Sequence, residues 1–86
     1  MASAEEQGLA SYFQFSRSTG LIAAHRILPI GSRVRVLNLD NGRSVVVTIV
    51  GRGPFVSGRV IDVSMEAADE LGFRQAGLAH VRIDQN

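Results

Sequence analysis

Two side chains in this sequence stand where they can do chemistry. His25 follows the small pair Ala23-Ala24 and precedes a turn containing Pro29, and Asp62 lies between Ile61 and Val63 in a β-branched run. An imidazole can give or take a proton near neutrality, and a carboxylate can serve as base or, when protonated, as acid. Each also has a purely structural use. His25 can hydrogen-bond the hydroxyls of a ligand or cap its own turn, and these two uses weigh equally. For Asp62 the structural use is favoured: a mid-strand carboxylate held by backbone N–H groups or by an arginine. An Asp so held is ionised and accepts only, so it offers a base and no first proton. Arg52, in the loop Gly51-Arg52-Gly53-Pro54, is expected at a groove mouth, either meeting ligand carboxylates or clamping Asp62. Tyr12 and Phe55 can form an aromatic floor for a stacked ring, or belong to the core. His80 alternates outward on the last strand and reads as a solvated surface residue.

Several other chemistries are not indicated. No His, Asp and Glu cluster has metal-ligand spacing, so no metal is expected. The Gly51-Arg52-Gly53-Pro54 loop lacks the Lys and the following helix of a phosphate cradle, and no cofactor is expected. Nine cationic residues, all Arg, face eight acidic ones for a net charge of +1, too balanced to argue for nucleic acid. There is no Cys, hence no disulfide and no zinc-thiolate site. No apolar run approaches the roughly 20 residues of a membrane span. Residues 1–7 are small and acidic and lack the basic-then-apolar order of a signal peptide.

The elements that must position these residues are mostly strands. With 86 residues there is room for one domain and one core. Residues 1–7 read as a disordered start and residues 8–86 as the folded unit. Residues 8–15, with a Tyr and two Phe, read as a first strand, and residues 21–24 as a short apolar run. Arg33-Val34-Arg35-Val36 alternates as a strand with one wet face, while residues 44–50 are β-branched almost throughout and suit a strand covered on both faces. Asn41-Gly42 between them predicts a two-residue type I′ hairpin joining strands near 33–39 and 44–50. Arg59–Val63 returns to strand character. Ser64 then reads as an N-cap, Met65–Leu71 as a two-turn helix docking Met65, Ala68 and Leu71, and Gly72 as its C′ stop. The last strand, residues 78–84, turns Ala79, Val81 and Ile83 inward. Ala23-Ala24-His25 before one strand echoes Ala67-Ala68-Asp69 before another, which suits a pseudo-twofold barrel with one or two short helices and equally a chance match.

Four blocks resemble a known family in order and spacing. They are Ala10-Ser11-Tyr12; Ala23-Ala24-His25-Arg26-Ile27-Leu28-Pro29-Ile30-Gly31, running into Ser32-Arg33-Val34-Arg35-Val36; Asn38-Leu39-Asp40-Asn41-Gly42-Arg43-Ser44-Val45-Val46-Val47; and Arg52-Gly53-Pro54-Phe55-Val56 with Gly58-Arg59-Val60-Ile61-Asp62-Val63-Ser64. The pattern resembles the rare lipoprotein A (RlpA-like) family over nearly all of the chain beyond residue 8. The resemblance implies an all-β fold, a six-stranded double-psi β-barrel, with a groove for peptidoglycan glycan strands. It implies a location in the bacterial cell envelope or periplasm. The implied activity is that of a lytic transglycosylase, which leaves an anhydro-ended sugar. A monomer is expected.

The departures from the pattern bear directly on that activity. Lysis of this kind needs an acid to protonate the leaving oxygen and a base to help the sugar's own hydroxyl attack. The family reads Asn-Asp-Arg-Gly-Pro-Phe where this chain reads Val50-Gly51-Arg52-Gly53-Pro54-Phe55, so Gly51 stands in place of the implied acid. The family's Thr-Ala-Ser-Gly-Glu also has no counterpart, since the run from Tyr12 to Ala24 contains no acid. Of the implied catalytic trio only His25 remains, as a remnant. Under the resemblance, Tyr12 and Phe55 would stack sugar rings and Arg52 would meet sugar or peptide carboxylates. The block around Asp62 is also similar to His-Phe-Asp-Leu-Ser of expansins, whose Asp belongs to a functional groove. Glycan binding with lysis lost or impaired is the leading expectation. The alternatives are an active transglycosylase using Asp62 with His25, and a structural or protein-interaction barrel without sugar affinity. Gly51 is further expected to hold a backbone conformation that an Asp resists.

Overall fold

The alternation of Arg33-Val34-Arg35-Val36 is realised as one wall of a barrel, with both valines buried and both arginines exposed. The computed structural model describes residues 5–15 and 20–85. Along them run β1 (Glu5–Tyr12), β2 (Ile22–Ala24), β3 (Arg33–Asn38), β4 (Ser44–Gly51), β5 (Arg59–Val63), α1 (Met65–Leu71) and β6 (Ala79–Asp84). The strands close in the order β1-β5-β2-β4-β3-β6, so each has two hydrogen-bonded neighbours and no edge is left open. The pairs β1–β5 and β2–β4 are parallel, and the remaining pairs are antiparallel. This is the all-β, six-stranded double-psi barrel expected from the sequence, with a single short helix.

The core lies inside the barrel. Val36, Val47, Ile49, Ile61, Val63, Val81 and Ile83 fill it, each from the inward parity of its strand. At one point two strands come unusually close. A Cβ on Gly8 would lie 2.5 Å from Val60 Cγ1 and 3.2 Å from the Gly58 carbonyl oxygen, so only glycine lets β1 and β5 approach this far.

The helix forms as its caps predict. Ser64 Oγ accepts from the Ala67 N–H, and Gly72, at φ 77°, closes the last turn through Ala68 and Asp69 carbonyls. Its buried residues are Ala67, Ala68 and Leu71, whereas Met65 is only half-buried. At 3.6 residues per turn Met65 points roughly 115° away from that face. Ala67 replaces it.

Three other expectations are corrected. The start expected to be disordered over residues 1–7 is strand from Glu5 onward, because Glu5, Glu6 and Gln7 pair with Asp84, Ile83 and Arg82 of β6; residues 1–4 lie outside the described residues. The turn between β3 and β4 is not a two-residue hairpin. Asn38 N–H donates to the Arg43 carbonyl and Gly42 N–H to the Asn38 carbonyl, both at 2.8 Å, leaving the four residues 39–42 as the loop, with Gly42 at φ 78°. The alanine echo is not a structural repeat either, for Ala23-Ala24 is strand and Ala67-Ala68 is helix.

Candidate functional site

Strand register brings four small or polar residues into one row. Ser11 on β1 pairs with Asp62 on β5, Asp62 with Ala24 on β2, and Ala24 with Gly51 on β4. Ile61 and Val63 point into the core, so Asp62 projects from the outer face of the barrel. There its carboxylate accepts a hydrogen bond from the Ser11 hydroxyl. The partner of Asp62 is thus a hydroxyl, not the backbone donors or arginine expected. Asp62 is the only acid in this row.

Gly51 ends the row as an open position. A Cβ built there meets only Ala24 Cβ, at 3.9 Å, and its φ lies outside the left-handed region. The expectation that its backbone would resist an Asp is therefore corrected.

His25 leaves β2 and turns under the barrel. Its own N–H donates to the Gly51 carbonyl at 3.1 Å, and its side chain is 2% exposed. Nδ1 accepts from the Ile27 and Leu28 N–H groups, each at 3.1 Å, which assigns the ring proton to Nε2. Nε2 then donates to Glu6 Oε1 at 2.7 Å. Both nitrogens are taken. This is the geometry of a turn cap, anchored from below by a carboxylate. Arg26 stands 3.7 Å from the other Glu6 oxygen.

Arg52 completes the same turn. Its Nη1 donates to the Leu28 carbonyl at 2.6 Å and to the His25 carbonyl at 3.1 Å, tying the loop after β4 to the loop after β2. Neither bond reaches Asp62. Among the described residues no hydrogen bond joins His25 to Asp62, whose partners are those already given.

The two aromatic residues are not brought together. Tyr12 lies in register with Val63 at the far end of β5, its hydroxyl donating to the Arg74 carbonyl at 2.7 Å. Its ring packs 5.9 Å from Phe73 and carries the Arg74 guanidinium 5.6 Å from its centroid. Phe55 precedes β5 at the opposite end and is 77% exposed. A shared aromatic floor is excluded by this topology. His80 is exposed, 3.9 Å from Asp40.

Two residues of the site went unread in the sequence. Ser11 sat in a matching block but drew no attention as a partner for Asp62. Glu6 lies in the stretch expected to be disordered, although Glu6, Gly8 and Ala10 share the parity that strand β1 buries or half-buries. Among the described residues no group of three or more acids and histidines could hold a metal ion, and no helix is long and apolar enough to cross a membrane. Among the described residues one titration is displaced: the hydrogen bonds that Arg82 donates to Asp84 and the charge of that carboxylate, aided by Glu5, hold the Arg82 guanidinium above its ordinary range.

Chemically, the row offers one carboxylate with a hydroxyl beside it. Such a pair can accept hydrogen bonds from ligand hydroxyls. It cannot divide acid and base roles between two carboxyl groups.

Comparison with known proteins gives a family match described as lytic transglycolase over residues 5–83. The chain is 54% identical over 65 residues to the endolytic peptidoglycan transglycosylase RlpA of Pseudomonas aeruginosa (strain UCBPP-PA14), covering 76% of this chain and 19% of that protein. It is 57% identical over 63 residues to the protein of that name from Neisseria meningitidis serogroup A, covering 73% and 26%. A probable endolytic peptidoglycan transglycosylase RlpA from Nostoc sp. is 61% identical over 64 residues, covering 74% and 17%. The matched part thus spans 17–26% of these relatives' own length.

Proposed function

Because the chain belongs to the lytic transglycolase family of RlpA-like double-psi barrels, we propose that it binds the glycan strands of peptidoglycan and cleaves them weakly or not at all. The observation that carries this reading is Gly51, a bare position beside Ala24 in the row where Asp62 is the only acid. A glycosidic oxygen is a poor leaving group until protonated, and a glycine has no proton to give. His25 does not substitute for it, since Nδ1 is occupied by two backbone donors and Nε2 by Glu6.

Binding needs less. Asp62 and Ser11 present a carboxylate and a hydroxyl on an outer face lined by Ala24 and Gly51, small residues that leave room for a sugar ring. On this reading the protein works in the bacterial cell envelope as a monomer, without a cofactor. Sedimentation with purified sacculi should carry the protein down, and Asp62→Ala should weaken that binding severalfold. Sacculi stripped of stem peptides should release no anhydro-ended sugars above background. Clear turnover abolished by Asp62→Asn would instead establish an active transglycosylase. Failure to bind sacculi at all would leave a barrel without sugar affinity.

A further inference from the structure

The two loops that Arg52 ties together leave the same end of the barrel, since β2 and β4 are parallel. Their tips expose branched and aromatic apolar side chains: Ile27 at 81%, Ile30 at 56%, Phe55 at 77% and Val56 at 53%. A soluble surface seldom gathers so many large apolar groups at one place without a partner. Cations outnumber acids around them. The sequence has no acid between Glu6 and Asp40 and none between Asp40 and Asp62, while Arg26, Arg33, Arg52 and Arg59 all lie in or beside these loops. The acids that reach this end from β1 and β6 are engaged: Glu6 with His25 and Arg26, and Glu5 and Asp84 with Arg82. At the opposite end, α1 exposes Glu66, Asp69 and Glu70. Arg43 and Arg74 stand at that end too, Arg74 paired with Asp69, so among the described residues cations prevail at one end and acids at the other.

We propose that this end of the barrel docks on the surface of an anionic phospholipid bilayer, with the apolar tips in the headgroup boundary and the arginines against lipid phosphates. Apolar side chains ringed by cations are the combination that interfacial binding needs, because burial and attraction to anionic headgroups then act together. A second copy of the chain fits poorly. A twofold contact here would turn the cationic patch of one copy, with Arg33, Arg52 and Arg59, toward the same patch of the other. A glycan strand fits poorly too, since Ile27, Ile30 and Val56 offer neither a flat face nor hydrogen bonds to sugar hydroxyls. The patch adjoins the Asp62 row, since Ala24 and Gly51 of that row lead directly into its two loops.

Co-sedimentation with vesicles tests the assignment. The intact chain should pellet with vesicles of mixed phosphatidylglycerol and phosphatidylcholine, not with pure phosphatidylcholine, and should be released as salt screens the arginines. The double variant Ile27→Ser, Phe55→Ser should lose at least tenfold in partitioning with an unchanged far-UV spectrum and thermal midpoint, both side chains being largely exposed. Leu39→Ser, an exposed apolar residue at the acidic end, should bind as the parent does. No pelleting with phosphatidylglycerol vesicles overturns the proposal, as does equal loss in Leu39→Ser. A dimer in sedimentation velocity that the double variant dissolves would assign the patch to a second copy. Lost sacculus binding with vesicle binding intact would assign it to glycan.

Discussion

The Glu6 carboxylate and the His25 imidazole meet at 2.7 Å across 19 positions of sequence, joining the start of β1 to the turn after β2. The contact fixes the ring so that Nδ1 faces two backbone N–H groups, that of Leu28 buried and that of Ile27 part-buried, which would otherwise be left without this acceptor. Arg52 closes the same turn from the other side by donating to the carbonyls of His25 and Leu28. A residue type that reads as catalytic in the sequence is here the hub of a backbone scaffold.

His25→Ala should therefore destabilise the fold by about 1–3 kcal/mol, the cost of leaving one buried and one part-buried donor unpaired. Glu6→Gln keeps an oxygen to accept from Nε2 and should cost no more than about 1 kcal/mol. Urea denaturation of both variants gives the comparison. Equal losses would mean that the charge of Glu6, not its hydrogen bond, holds the ring.

Gly8→Ala should cost about 1–3 kcal/mol, because the new methyl would lie 2.5 Å from Val60 Cγ1, closer than a side chain tolerates, and tight against the Gly58 carbonyl oxygen. Repacking would have to shift β1 from β5. A thermal midpoint equal to the parent's would show that the two strands separate freely there.

Gly51→Asp should behave oppositely. With only Ala24 Cβ within 4 Å and no left-handed φ to oppose it, the variant should keep its stability to within about 0.5–1 kcal/mol of the parent. It places a second carboxyl in the row with Asp62, and a trace of anhydro-sugar release from stripped sacculi is the expected gain. Full recovery is not expected, since no acid lies between Tyr12 and Ala24. A stable variant with no release would show that an acid in this row is not sufficient for lysis.

Leu71→Ala should cost about 2–4 kcal/mol, for Leu71 is fully buried where α1 meets the barrel. The denaturation midpoint reads it directly. Met65→Ala, half-buried and turned off that face, should cost clearly less.

The parts of the fold that could be read in the sequence are those coded locally. Period-two alternation gives β3 and β6, Ser64 and Gly72 bound the helix, and the RlpA-like blocks carry the architecture. The loop after β3 could not be read, because its shape is set from a distance. Asn38 and Asn41 both send their side-chain amides to the Leu71 carbonyl at 2.9 Å, so the end of α1 moulds a four-residue loop where Asn-Gly alone suggests two. The start of β1 was hidden for a similar reason. Glu5-Glu6-Gln7 has no apolar signal, and its strand character comes wholly from β6, which follows more than sixty positions later in the sequence. At the site, His25 and Asp62 were legible as residue types. Their partners Glu6 and Ser11 were not, since strand register alone brings them within reach.

The pairing of Glu5 with Asp84 sets the first and last described strand residues side by side in the β1–β6 ladder. Chain entering the barrel and chain leaving it therefore pass through nearly the same point. A unit built this way can be spliced into a surface loop of another protein without forcing its host apart. It can equally be circularly permuted, with a short linker across that pair and new ends opened in the exposed 39–42 loop.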